Sequence, residues 1–218
     1  MSKFYTTLNI NHAFLTLIEH WLVEANEASL IVEIGCGDGL NLRYLAQRHP
    51  NVRFVGVDIT GGMESSESNL EFFQADGVEF LERNINKIDC VFGIDVVEHF
   101  DEQRYSELLQ LIASRKISVG FFQVPNCASN IGQRFFFGDP THKIPFTEER
   151  VQYLVDLVEA DIPLGIQFLR PAAKNFKEKA RYGCQRLCSL CIACFEYCYV
   201  GRAAFKVIRD PVLIFKVF

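Results

Sequence analysis

Four side chains able to move protons or bind cations lie in two short segments. Asp95, Glu98 and His99 form an acid-x-x-acid-His cluster, and His142 follows within residues 138–147. Positions three and four apart project from one face of a helical turn, so the first three groups can converge on one ion. An imidazole can accept the proton of a reacting hydroxyl, and two carboxylates with two imidazoles also suit Mg²⁺, Mn²⁺ or Zn²⁺. Three roles are therefore open for this set: a metal site, a metal-free histidine base, or a structural latch.

A glycine-rich turn lies earlier in the chain, at the end of an apolar strand. Glu33 precedes three alternating glycines, Gly35, Gly37 and Gly39, and Asp58 closes the next strand nineteen residues later. Glycine allows a tight turn and a close approach to a ligand. An acid at the end of the second strand can accept the protons of both ribose hydroxyls. This spacing predicts a nucleotide-like cofactor.

The charge and spacing of the turn distinguish two cofactor classes. A dinucleotide site would carry Gly-x-Gly-x-x-Gly, but Leu40 occupies the place of the last glycine and Asp38 puts a negative charge where phosphate oxygens would lie. That repulsion would cost about 1 kcal/mol or more in a partly desolvated turn. S-adenosylmethionine has no phosphate and a positive sulfonium, so it is the favoured cofactor. A nicotinamide-dependent sugar oxidoreductase would share this framework, but the lack of a convincing Tyr-x-x-x-Lys pair argues against it.

With these motifs, the first ~170 residues resemble the class I S-adenosylmethionine-dependent methyltransferases. The glycine turn resembles their first motif, Asp58 their ribose carboxylate, and Asp76-Gly77 the pair beside the adenine. Residues 95–100 resemble the segment that closes over the methionine part of the cofactor and faces the acceptor. The resemblance leaves His142 and His99 as catalytic candidates for activating the acceptor. It implies cofactor contacts at Glu33, Gly35, Cys36, Gly37, Asp58, Ile59, Asp76, Gly77 and Ile94.

The predicted strands and helices alternate, which is typical of an α/β fold with helices on both faces of a parallel sheet. The resemblance implies a Rossmann-like seven-stranded methyltransferase sheet, mostly parallel with the last strand antiparallel, in which residues 166–169 and 212–218 form a hairpin at the edge. With 218 residues, 49% of them hydrophobic, the chain is expected to form one domain, 1–218. The pattern predicts helices over 11–27, 40–48, 101–114 and 147–158, and strands over 52–58, 70–75, 89–94 and 117–124.

Two further resemblances concern the acceptor. The Asp95, Glu98 and His99 cluster is similar to the Glu-x-x-Glu-His metal site of small-RNA 2′-O-methyltransferases and of O-methyltransferases in ubiquinone synthesis, although Asp95 is one methylene shorter than their first glutamate. Residues 124–129 and 138–147 resemble bacterial methyltransferases of O-antigen, capsule and other surface-polysaccharide pathways. The second resemblance implies O-methylation of a sugar hydroxyl in a glycan or glycolipid precursor. The aromatic run 135–137 can then stack on a sugar ring or act as a core anchor.

The C-terminal part has a different composition. Residues 1–169 hold 12 Lys and Arg against 24 Asp and Glu, whereas residues 170–218 hold 10 against 3, giving formal charges of −12 and +7. We predict a basic, cysteine-rich, amphipathic helical insertion at 171–209. It would contact an anionic membrane surface through residues 174–206, or pack against the domain or a second subunit. The spacing of four of its cysteines resembles that of bacterial ferredoxins: Cys188, Cys191, Cys194 and Cys198. The residues between these cysteines favour a helix, so the cysteines would lie on one helix face.

The predicted setting is cytoplasmic, because no long apolar stretch follows a basic cluster at the N-terminus. Membrane contact through residues 174–206 would make the protein peripheral on the inner face of the cytoplasmic membrane. The expected partner is a small-molecule or lipid-linked glycan acceptor. Nucleic acid is disfavoured, since the acidic main domain would repel phosphates; a 2′-O-type reaction on a nucleic-acid hydroxyl is nevertheless an alternative. A noncatalytic membrane-attached scaffold with a vestigial pocket is another.

Overall fold

The computed structural model describes residues 11–25, 30–61, 63–84, 87–158, 164–169 and 212–218. These residues form a seven-stranded sheet with the strand order β3-β2-β1-β4-β5-β7-β6. Strands β1 to β5 are parallel, and β7 runs antiparallel to both β5 and β6. The strands are β1 Leu30–Ile34, β2 Arg53–Asp58, β3 Leu70–Gln74, β4 Cys90–Ile94, β5 Val119–Pro125, β6 Ile166–Leu169 and β7 Val212–Val217.

Helices cover both faces of this sheet, and the alternation of side chains along each strand supplies both hydrophobic cores. On one face, Ile31, Phe92 and Phe121 pack against α1 and α2. On the other face, Val32 and Val91 pack against α3, α4 and α6. The helices are α1 His12–Ala25, α2 Leu40–Arg48, α3 Gly77–Arg83, α4 Glu102–Ser114, α5 Asn130–Gly138 and α6 Glu148–Asp156.

The sheet reverses its direction of growth between β1 and β4. From β1 the chain proceeds outward through β2 and β3, and it then crosses to β4 and proceeds through β5 on the other side. In sheets of this kind, ligands bind outside the carboxyl ends of the strands at such a switch point. The glycine turn follows β1, and a single 3₁₀ turn, Val97–His99, follows β4. The two motifs singled out in the sequence therefore meet at this edge.

The predicted α/β fold is confirmed, including the antiparallel pairing of the last two strands. The helix predicted at 40–48 has those bounds, whereas the strand predicted at 117–124 begins two residues later, at Val119. Two helices were not predicted. Helix α3 begins directly after Asp76, and α5 follows β5 in a segment for which the sequence predicted neither a helix nor a strand.

The C-terminal insertion predicted at 171–209, with its cysteines and its expected membrane contact through residues 174–206, lies outside the described residues. No helix in the part of the chain that the structure describes is both long and apolar enough to cross a membrane.

We predict that Tyr105→Phe stabilises the protein. Tyr105, in α4, is completely buried against Phe146, and its hydroxyl has no hydrogen-bond partner among the described residues. A buried polar group without a partner costs about 1 kcal/mol or more, so its removal should raise the free energy of unfolding by about 1 kcal/mol. Urea denaturation measures this change, with Tyr105→Ala as a control that should lose about 4 kcal/mol. A loss of stability in Tyr105→Phe would contradict the unpartnered hydroxyl.

Candidate active site

The glycine turn after β1 has a backbone that ordinary residues rarely adopt. Gly35, Gly37 and Gly39 have φ values of +67°, +55° and +73°. A Cβ atom at Gly35 would lie 2.5 Å from Cγ2 of Val96, whereas one at Gly37 would meet nothing within 4 Å. Gly35 is therefore required for packing against the segment after β4. Gly37 borders open space at the carboxyl edge of the sheet, where a ligand can approach its backbone.

Asp58 ties the end of β2 to this turn. Its Oδ2 accepts a hydrogen bond from the Gly37 backbone N–H at 2.9 Å, and its Oδ1 accepts from the backbone N–H and the hydroxyl of Thr60 at 2.8 and 2.6 Å. The next residue, Ile59, is 72% exposed although it is apolar. The predicted ribose carboxylate and the predicted apolar contact are thus adjacent at the mouth of the turn, as a nucleoside site requires.

Asp76 and Gly77 lie at the carboxyl end of β3, and their contacts there are structural. Oδ1 of Asp76 caps α3 by accepting from the N–H groups of Val78 and Glu79 at 2.9 and 3.0 Å, and it also pairs with Arg104. A Cβ at Gly77 would lie 2.8 Å from Cβ of Ile34. The pair expected beside the adenine is therefore rigidly held close to the end of β1.

Glu33 is buried beneath the glycine turn with only 1% of its surface exposed. Its Oε1 accepts from Nδ2 of Asn41 at 3.3 Å, and its Oε2 has no partner among the residues described. Burial raises the pKa of Glu33 well above its usual value. Cys36 is buried too, and burial likewise raises the pKa of its thiol, which makes it a small packing residue rather than a nucleophile. Ile94, at the end of β4, is half-buried.

The second half of the site is a cluster of Glu98, His99 and His142, in which one ligand atom from each residue lies within 4.8 Å of the others. Oε1 of Glu98 is 3.8 Å from Nε2 of His142, and the two imidazole centroids are 4.6 Å apart. Glu98 is 1% exposed, and neither of its oxygens has a hydrogen-bond partner in the described ranges. Burial, together with the nearby charge of Asp95, raises the pKa of Glu98 to about 9.

Hydrogen bonds to the Nδ1 atoms fix both rings. Nδ1 of His142 is 2.9 Å from the carbonyl oxygen of Phe136, which can only accept, so this nitrogen carries the proton. Thr141 donates its hydroxyl proton to Oδ1 of Asp139 at 2.6 Å and therefore accepts from Nδ1 of His99 at 2.9 Å. In both neutral rings Nε2 is then the free acceptor. Burial and the neighbouring His142 lower the pKa of His99.

Asp95, the fourth ligand of the predicted set, lies outside this three-residue cluster. Its backbone is left-handed, with φ of 51°, and its N–H donates to the carbonyl of Gln123 at 2.9 Å. Its side chain accepts from Nε2 of Gln123 at 3.4 Å. The physical reason is the short 3₁₀ turn, which begins after Asp95 and groups Glu98 with His99.

The sequence did not identify four polar residues of the site. Thr141 and Asp139 orient His99. Gln123 contacts Asp95, and Asn11 contacts Gln123. Asp139-Pro140-Thr141 is a turn sequence whose aspartate accepts from the N–H of Thr141 at 2.9 Å, and this local signal could have been found. No local signal marks the pair of Asn11 and Gln123, because 112 positions separate them along the chain.

The sequence of this chain is similar to those of known methyltransferases. Residues 31–115 match the family model described as a methyltransferase domain. A tRNA (guanine-N(7)-)-methyltransferase of Colwellia psychrerythraea is 29% identical over 96 residues, which is 40% of this chain and 36% of the relative. The corresponding protein of Christiangramia forsetii is 32% identical over 74 residues, or 33% of each chain. The matched segment thus spans about a third of the length of these curated relatives.

Solved structures match over nearly the whole chain. A SAM-dependent methyltransferase from Archaeoglobus fulgidus has a TM-score of 0.58 at 22% identity and covers 93% of this chain and 92% of its own. The methyltransferase domain of bacterial CtHen1 also has a TM-score of 0.58, at 15% identity, with 96% of this chain and 99% of that chain covered. The predicted Rossmann-like methyltransferase fold is confirmed.

We predict that Gly37→Ala impairs cofactor binding far more than folding. The new methyl group meets no protein atom but extends into the open edge of the turn, and the left-handed backbone costs about 1 kcal/mol. The affinity for S-adenosylmethionine, measured by calorimetry, should fall at least about tenfold, with only a small drop in melting temperature. Gly39→Ala is the contrasting variant, because its methyl group would lie 2.4 Å from Phe72 and should destabilise the fold. Unchanged affinity in Gly37→Ala would place the cofactor elsewhere.

We predict that Glu98→Gln stabilises the metal-free protein increasingly as the pH rises. The pKa of Glu98 is about 9 in the folded protein against an ordinary value of 4.5, so between these values the folded state holds a proton that the unfolded state lacks. The free energy of unfolding of the wild type therefore falls as the pH rises through this window, by up to about 1.4 kcal/mol per pH unit. The amide of the variant does not titrate, so its stability lacks this pH dependence. Urea denaturation in EDTA at pH 5 and pH 8 tests this. A difference independent of pH would contradict a buried carboxylic acid.

Proposed function

We propose that this S-adenosylmethionine-dependent methyltransferase transfers the methyl group to a hydroxyl of its acceptor, and that Glu98, His99 and His142 activate that hydroxyl. The observation that carries the proposal is the cluster itself. Two imidazoles and the buried carboxyl group of Glu98, which has no hydrogen-bond partner among the described residues, each place one ligand atom within 4.8 Å of the others. The glycine turn follows β1, and β1 is the neighbour of β4 in the sheet. The methyl donor and the acceptor would therefore meet between the ends of these two strands.

The donor side of the reaction depends on the glycine turn. When bound, S-adenosylmethionine supplies an electrophilic methyl group on a positive sulfonium. Asp58 would accept hydrogen bonds from the ribose hydroxyls, and the open backbone at Gly37 would admit the ligand without a steric clash. Ile59, 72% exposed, would pack against the adenine. The carboxylates along this edge favour a cationic donor over a phosphorylated one.

The acceptor side favours oxygen chemistry. An amine can attack as its free base, but an alcohol holds its proton near neutral pH and gains from a positioned base. Nε2 of His142 is suited to accept that proton, because the Phe136 carbonyl holds the proton on Nδ1. His99 is oriented in the same way through Thr141. These fixed rings support the transfer of a methyl group to a hydroxyl.

The cluster also fits a divalent cation. The two oxygens of Glu98 are buried without hydrogen bonds from the described residues, a costly arrangement that a cation would relieve. Each imidazole donates its Nδ1 proton to a neighbour and leaves Nε2 free, as metal-binding histidines do. Glu98, His99 and His142 would hold Mg²⁺, Mn²⁺ or Zn²⁺. The charge of such an ion lowers the pKa of a bound hydroxyl. In the proposed mechanism a divalent cation takes part. In the alternative, His142 acts as a base without a metal.

The acceptor we propose is a sugar hydroxyl in a glycan or glycolipid precursor. Helix α5 presents Phe135 and Phe137, 45% and 76% exposed, next to Phe136, whose ring lies 5.3 Å from that of His142. Exposed aromatic rings beside the base suit the apolar face of a sugar. Asp95 and Asp139 make this edge acidic, which favours a neutral acceptor over nucleic acid. Contact of residues 174–206 with an anionic membrane would place the enzyme beside lipid-linked substrates.

We predict that His142→Ala lowers methyl transfer about 10²- to 10⁴-fold while the affinity for S-adenosylmethionine is unchanged, because the variant loses only the acceptor-activating group. The assay follows tritium from labelled S-adenosylmethionine into a glycolipid fraction of cell envelopes. His20→Ala, an exposed histidine on α1, is the matched control and should retain full activity.

The same assay separates the two versions of the proposal. EDTA should abolish transfer and Mn²⁺ or Mg²⁺ should restore it if a cation takes part, whereas a metal-free base would be indifferent to both. Full activity in His142→Ala would contradict the role of the cluster. Label in an RNase-sensitive fraction instead of the glycolipid fraction would contradict the proposed acceptor.

A further inference from the structure

A chain of hydrogen bonds through three amide-bearing residues connects Glu33, beneath the glycine turn, with Asp95, after β4. Asn41 donates from Nδ2 to Oε1 of Glu33 at 3.3 Å, and its own Oδ1 accepts from the backbone N–H of Asn11 at 3.1 Å. Asn11 donates from Nδ2 to Oε1 of Gln123 at 3.0 Å, and Gln123 donates from Nε2 to Oδ1 of Asp95 at 3.4 Å. Two carboxylates are thus joined through three amides, which we call the amide chain: Asn11, Asn41 and Gln123.

The amide chain crosses the sheet at the switch point. Glu33 lies on β1 and Gln123 on β5, with β4 between them, and Ile94 of β4 pairs in register with Gln123. Asn11 lies just before α1, where its Oδ1 also accepts from the N–H of Phe14 at 3.2 Å and so caps the helix. The start of α1 is therefore fixed to the carboxyl ends of β1 and β5 by side chains.

One atom of this network points to a ligand. Glu33 is only 1% exposed, and Asn41 donates a hydrogen bond to its Oε1. Its Oε2, in contrast, has no hydrogen-bond partner in the described part of the chain. At the other end, Gln123 engages only Oδ1 of the Asp95 carboxylate, and Asp95 is exposed at the edge. Each carboxylate thus has one oxygen held by an amide. The remaining oxygen of each carboxyl group can receive a hydrogen bond from a cationic group.

Amides hold a carboxylate differently from lysine or arginine. A side-chain cation would neutralise the charge and compete with a ligand, whereas an amide N–H orients one oxygen and leaves the other free for a ligand. Burial between neutral donors also makes that charge costly until a cation arrives. An amide chain between two acids is therefore suited to prepare a site for an ammonium group.

We propose that Asn11, Asn41 and Gln123 are positioning residues that orient Glu33 and Asp95 toward the ammonium group of the cofactor's amino-acid end. This inference rests on the proposed function, because it takes S-adenosylmethionine as the donor. It assigns recognition of the amino-acid end to the start of α1 and to β5. Recognition of the nucleoside end belongs to Asp58 and Ile59. The two ends of the cofactor should therefore respond independently to substitutions.

Calorimetry with two ligands tests this independence. S-adenosylhomocysteine has both the nucleoside and the amino-acid end, whereas 5′-methylthioadenosine has the nucleoside end alone. Gln123→Met removes the amide at similar volume, and Asn11→Asp keeps the oxygen that caps α1 but removes the donor to Gln123. Each variant should bind S-adenosylhomocysteine about tenfold more weakly, the size expected for a lost hydrogen bond to a charged group, and should bind 5′-methylthioadenosine like the wild type. Gln152→Met, on the exposed face of α6, should change neither affinity.

The outcomes separate this inference from the proposed function. Equal weakening of both ligands would show that the amide chain only supports the fold and would overturn the inference, as would unchanged affinity for S-adenosylhomocysteine. Either result leaves the methyltransferase proposal standing as long as the wild type binds S-adenosylhomocysteine. A wild-type protein that binds neither ligand would overturn the proposed function and this inference with it.

Discussion

The hydrogen bond from the Gly37 N–H to the Asp58 carboxylate is the contact on which the rest of the site depends. It closes the glycine turn against the end of β2 at the switch point of the sheet. The same turn sets the position of the acceptor side, because the missing Cβ of Gly35 leaves the space that Val96 fills. Val96 directly precedes the 3₁₀ turn that carries Glu98 and His99. The two halves of the site therefore share one packing contact, and a residue larger than glycine at position 35 would displace both.

Neutral donors hold the acids of this edge. Backbone N–H groups and a hydroxyl engage Asp58, and amides engage Glu33 and Asp95. This arrangement orients the carboxyl groups without placing a competing side-chain cation beside them. Ionising Glu33 or Glu98 is costly, because burial removes water from both carboxyl groups. This cost appears as their raised pKa values. A cationic cofactor and a divalent cation are the two partners that would relieve that cost.

The sequence predicted the framework well because its strands are continuous apolar runs that end in glycine or acid, as in Val32–Gly39 and Val55–Asp58. Helix α5 was missed because glycines at 132 and 138 and a phenylalanine triplet resemble a loop, although Ser129 is an N-cap whose hydroxyl accepts from the N–H of Gly132. The sequence grouped Asp95 with Glu98 and His99, whereas the 3₁₀ turn contains only the last two of these residues, because spacing alone cannot distinguish an α-helical turn from a 3₁₀ turn. The link between Asn11 and Gln123 exists only after the sheet has formed.

The central claim is that the acidic glycine turn selects a cationic, phosphate-free cofactor. The most direct measurement is calorimetric titration of the wild-type protein with S-adenosylmethionine and, separately, with NAD⁺. The account predicts saturable binding of S-adenosylmethionine at micromolar concentrations, about −8 kcal/mol, and no measurable binding of NAD⁺. Tight binding of NAD⁺ with none of S-adenosylmethionine would contradict it.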